Sequence, residues 1–156
     1  MNKEIKSIIQ NIKNVNNGQP WFGRPVYEML DEIDPESVYQ KPNDHSHSMI
    51  ELLWHMITWS EFALRSLEKA NKENINAIEA QDWRNIDPSF HTWQKGLEIF
   101  KNTHRQITDI LDKKNDDFLK EIVGQRKFNF RFMLNGLIQH NIYHLGQIVY
   151  TGKLLS

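Results

Sequence analysis

Two of the seven histidines, His140 and His144, lie four residues apart in the apolar run "LIQHNIYHLGQIVY", Leu137 to Tyr150. On a helix that spacing is about one turn, so both rings project from one face. Two imidazole nitrogens so placed can share a metal ion without distorting the backbone. The spacing alone is weak evidence, because seven histidines in this length give roughly 0.3 such pairs by chance. A zinc-protease motif would carry glutamate directly after the first histidine, and this chain has Asn141 there. The bare motif therefore does not separate a metal site from two satisfied core histidines.

The surroundings add signals of unequal weight. Gly136 lies one turn before His140, and Gly146 lies close to His144. Glycine inside a helix costs about 1 kcal/mol against alanine. The two together predict close approach by another element, with Gly136 helping to open a crevice. Gln147 adds a polar group, for which an ordinary boundary residue is the simpler reading. A stable site needs a third donor from another helix. His55 and His104 both sit on apolar faces, and periodicity leaves the two open. Taken by itself, His104 reads as a satisfied core histidine. His45 and His47 precede a helix cap and are expected in solvent, as is His91 near a helix start.

Several chemistries drop out. Di-iron carboxylate bundles place glutamate three residues before histidine on two helices, whereas Leu52, Leu137 and Asn141 precede His55, His140 and His144 here. The chain has no cysteine, which excludes disulfides, thiolate ligands, a cysteine nucleophile and covalent haem attachment. No serine lies in a GxSxG setting. A haem held by paired histidines stays open.

The elements that must carry these residues are helical. Ile5, Ile8, Ile9, Ile12 and Val15 recur at helical spacing over residues 3–16, and "VYEMLDEI" (26–33) resumes after a break of two glycines and two prolines. Ser48 followed by Glu51 is a capping box, and from it Leu52, His55, Met56, Trp59, Phe62 and Ala63 form one apolar face. Residues 69–88 read as a long polar connection. Pro88 and Ser89 are expected to open a third long helix, whose Trp93, Leu97, Phe100, His104, Ile107 and Leu111 mark a bundle seam. Phe128, Phe130 and Phe132 alternate like a short extended piece. The last helix is expected from about Phe130 to Thr151, ended by Gly152. The fold expectation is all-α, a four-helix bundle with a long crossover between the second and third long helices, in one domain over 1–156.

Composition agrees with a globular chain of that size. Apolar residues make up 39% and charged residues 25%, with a net charge of −1 that offers no overall attraction to nucleic acid or an anionic membrane. No apolar run approaches the ~20 residues of a membrane span, and the N-terminus lacks the apolar stretch of a secretory signal. Together with the missing cysteine, these features predict a cytoplasmic protein.

Three segments, "PWFG" (20–23), "HSMIELLWHMITW" (47–59) and "GLIQHNIYHLGQIVY" (136–150), resemble the DinB-like family in order and spacing. The resemblance implies a four-helix bundle, commonly dimeric, holding a divalent metal, typically nickel or zinc, on three histidines. At the matching positions these are His55, His140 and His144, so the resemblance selects His55 over His104. The family often has aspartate between the paired histidines, and Asn141 in that place is expected to tune the site rather than remove it. Some relatives in the wider superfamily are thiol S-transferases acting with bacillithiol or mycothiol, and the leading expectation is a metal-dependent thiol S-transferase or hydrolase acting on a small-molecule substrate. Three neutral imidazoles would leave a metal position open for a thiolate or water. Metal release is then expected near the reference imidazole pKa of about 6.5. The alternative is a non-enzymatic metal-binding or interaction bundle, which a closed coordination shell without an adjoining cavity would favour. Neither a catalytic base nor a substrate is legible.

Overall fold

The computed structural model describes residues 2–69 and 75–156. Four long helices, α1 (Lys3–Asn17), α3 (Met49–Leu67), α5 (Trp93–Leu111) and α6 (Phe130–Leu155), form the bundle. Two short helices, α2 (Val26–Asp31) and α4 (Ile75–Asp82), and a 3-10 turn (Asp116–Lys120) lie in the connections. Helix α3 packs on both α5 and α6, and α1 packs on the same two helices. That arrangement closes a four-membered ring of helices around one core.

The periodic faces are buried as their spacing requires. All five apolar positions of α1 are buried, and so is the whole α5 seam from Trp93 to Leu111. Helix α3 is buried well beyond a single stripe, Leu53, Trp54, Ile57 and Ser60 included, because α4 covers it as well as α5 and α6. Gly96 explains how α5 comes so near: a Cβ there would stand 2.7 Å from Leu53 Cδ2. The capping box forms as read. The Glu51 N–H donates to Ser48 Oγ at 3.3 Å and the Ser48 N–H donates to Glu51 Oε2 at 2.7 Å, a cap contributing about 1 kcal/mol.

Three boundaries differ from expectation. Helix α5 begins at Trp93, not at Pro88 or Ser89. Asp87 Oδ1 accepts from the Ser89 N–H at 2.9 Å and ties that segment into a turn, leaving Thr92 Oγ1 to cap α5 through Lys95 at 3.2 Å. Helix α6 runs through Gly152 to Leu155, since Gly152 keeps helical geometry, and a Cβ there would meet Ile33 and Met49 only at an ordinary 3.5 Å. The extended lead-in reduces to a single bridge between Ile122 and Asn129, after which the Asn129 side chain caps α6. The polar connection contains α4, which its sequence did not announce; its residues 70–74 lie outside the described ones. No helix among the described residues is long and apolar enough to cross a membrane.

Candidate metal centre

The bundle brings His55 of α3 to the paired histidines of α6. His55 Nε2 stands 3.0 Å from His140 Nε2 and 3.0 Å from His144 Nε2. Two metal–imidazole bonds of about 2.1 Å, opened by 90–110°, put their nitrogens about 3.0–3.4 Å apart. His55 and His144 are buried and His140 is half-buried. His104 does not join them.

The other ring nitrogens decide which tautomers these rings hold. His144 Nδ1 lies 2.5 Å from the Gln147 side-chain oxygen, an acceptor, so the proton belongs on Nδ1. His55 Nδ1 lies 2.5 Å from Asp82 Oδ1, on an approach too bent for a straight hydrogen bond but near enough for the carboxylate to favour a proton there. Both Nε2 atoms are thereby left as lone pairs, facing each other at 3.0 Å. Two lone pairs at that distance repel unless a positive charge lies between them. The donor set thus fits a cation on physical grounds.

Burial acts in the same direction. It is the largest cause lowering the pKa of His55 to about 4 and of His140 to about 3, with the neighbouring histidines adding to it. His144 is lowered too, again chiefly by burial, against the opposing pull of Gln147 and Asp82. All three rings are therefore neutral at pH 7, the form that ligates metal.

Residues from the long connection complete the surroundings. Asp82, at the end of α4, accepts from Trp59 Nε1 at 2.7 Å. Burial raises the Asp82 pKa, opposed by this hydrogen bond. Trp83 stacks on His55 with ring centroids 4.0 Å apart and on His47 at 3.8 Å, both nearly parallel. Two rings so close to one centroid cannot share a face, so Trp83 is sandwiched between them. Arg84 donates to Thr58 Oγ1 at 2.6 Å and fastens the same segment to α3.

Several expectations change here. Gln147 is a partner of His144 rather than an ordinary boundary residue. His47 is exposed, as is His45, but it is also stacked on Trp83. His91 is half-buried, its ring edge-on to Trp54 at 4.6 Å. Neither Gly136 nor Gly146 admits a close neighbour, because a Cβ at either meets nothing within 4 Å. Gly136 instead borders a pocket of about 190 Å³, lined by Trp59, Phe62, Phe128, Phe132 and His140 among others. His104 is a satisfied core histidine: Nδ1 donates to the Phe100 carbonyl at 2.8 Å, and Nε2 accepts from Asn141 Nδ2 at 2.8 Å. Asn141 therefore faces His104. Asp82 and Trp83 went unnoticed in the sequence, where a lone "DW" after a polar stretch carries no periodic signal.

Comparison with known proteins agrees with the geometry. No curated protein and no solved structure matches the chain. The DinB superfamily pattern matches residues 24–148, which takes in all three converging histidines and begins just after "PWFG". A match over that much of the 156 residues, on an all-helical bundle, makes the chain a member of the DinB superfamily.

Proposed function

We propose that His55, His140 and His144 hold a divalent ion, nickel or zinc, and that the protein is a metal-dependent enzyme acting on a small molecule. The observation carrying this reading is the open set of three Nε2 donors. Among the described residues no fourth histidine or carboxylate joins the cluster, and a pocket adjoins His140. That combination favours an enzyme over a purely structural metal site.

A divalent ion held there supplies Lewis acidity that lowers the pKa of a thiol or water reaching it. The chain's own residues do the positioning. Gln147 and Asp82 keep protons on Nδ1 of His144 and His55, so that Nε2 remains the donor. Trp83 covers one face of His55. The reaction that suits the site is S-transfer from a low-molecular-weight thiol such as bacillithiol. The sulfur forms a bond to an electrophilic carbon, the leaving group departs with its electron pair, and the thiol proton passes to water. Hydrolysis by the same donor set is the variant with water in place of thiol. The cysteine-free chain fits a reducing cytoplasm.

Chelated protein is expected to lose turnover in a bacillithiol-conjugation assay and to regain it on addition of nickel or zinc. Full activity without metal overturns the mechanism. Absence of turnover with either metal counts against the thiol substrate.

We further infer a homodimer. Helix α6 exposes Tyr143, Tyr150 and Leu154, which recur seven and four residues apart on one side of the helix. Light scattering at micromolar concentration should give twice the 18.6 kDa chain mass. A monomer mass rejects the dimer and leaves the metal site untouched.

A further inference from the structure

The pocket beside His140 has a chemistry that metal binding does not require. Its walls are two aromatic pairs on different elements. Trp59 and Phe62 of α3 stand edge to face at 5.7 Å, and Phe128, just before α6, lies 5.4 Å from Phe132 in its first turn. Phe132 is 67% exposed and forms the outer wall of the pocket, leaving it open to a ligand from solvent.

We propose that this pocket seats the apolar body, about one aromatic ring in size, of the substrate converted at the three-histidine site. The inference rests on the metal-dependent reading above. Size limits the occupant: the volume is about 190 Å³, and an apolar cavity of about 150 Å³ already accepts benzene. That space is too small for a helix or a peptide strand, and it matches a group of about one aromatic ring. Continuity ties the pocket to the chemistry. His140 belongs both to the lining and to the converging Nε2 set. Trp59, a wall, donates to the same Asp82 oxygen that touches His55 Nδ1. An apolar group bound there is held against the ring of a candidate ligand. Gly136 adds an independent indication. It is half-buried within a continuous helix, and a side chain there would meet nothing within 4 Å. Packing within the chain does not demand glycine, yet glycine leaves the pocket unfilled.

Gly136 also provides the test. Leucine at that position grows into empty space, so Gly136→Leu should fold like wild type by circular dichroism while occluding the pocket. The probe is fluorobenzene, followed by 19F NMR with metal-free and Co2+-loaded protein, and Gly146→Ala serves as the control outside the pocket. Expected are saturable binding to wild type and to Gly146→Ala, binding to Gly136→Leu weakened by about tenfold or more, and broadening of the bound signal by Co2+. No saturable binding to wild type, equal binding to Gly136→Leu, or an unbroadened signal in protein shown to hold Co2+ overturns the proposal. Protein that takes up no Co2+ sinks the metal reading instead. Titration of metal-free wild type against Gly136→Leu then decides the pocket by itself.

Discussion

His140→Ala should abolish tight uptake of nickel or zinc, and His55→Ala and His144→Ala should do the same. Each removes one of three converging donors, His55 Nε2 lying 3.0 Å from that of each of the other two, and the two imidazoles left form a far weaker site. The effect should be graded outward. Gln147→Ala and Asp82→Asn leave all three donors but release the Nδ1 protons, and a loss of about 10–100-fold in affinity is expected. His91→Ala, whose ring packs on Trp54 away from the cluster, should bind as wild type does. Elemental analysis after reconstitution and desalting reads all of these, with circular dichroism to establish folding. Reconstituted wild type devoid of metal would reject the site outright.

Acid should release the ion and weaken the fold, though at lower pH than the reference imidazole suggests. Burial lowers His55 to about 4 and His140 to about 3, so protons compete for Nε2 only well below the value of about 6.5 that holds in an unfolded chain. Occupancy is therefore expected to persist through pH 6 and to fall as pH approaches about 4. His104 adds a contribution that needs no metal. It is fully buried with both ring nitrogens paired, and burial lowers it to about 4. A folded pKa below the unfolded one means that the unfolded chain takes up the proton first. The stability involved, on the order of 3 kcal/mol, is complete above about pH 6.5 and lost as pH falls toward 4. Denaturant titrations of metal-free protein from pH 8 to 4 check the sign, and metal analysis over the same range checks release. Stability that increased toward pH 4 would contradict the His104 account. Retention of metal unchanged at pH 4 would point to carboxylate donors.

Helix existence, burial and capping were legible because they are local. The five apolar positions of α1, the α5 seam and the Ser48–Glu51 box each announce themselves within a few turns, and the structure buries or pairs them accordingly. The paired histidines of α6 were legible for the same reason. Periodicity states which face of a helix is buried, however, and not what that face meets. His55 and His104 are equivalent by that measure. The resemblance implied His55, and the packing of α3 on α6 brings that ring to the pair while His104 turns to Phe100 and Asn141. Glycine misled in a similar way: Gly136 and Gly146 flank the histidines without close neighbours, whereas Gly96, far from them in sequence, lets α5 close on Leu53. Asp82, Trp83 and the pocket of Trp59, Phe128 and Phe132 join residues from elements distant along the chain. Only the tertiary fold could place them together, because the contacts that define them have no counterpart in any single stretch of sequence.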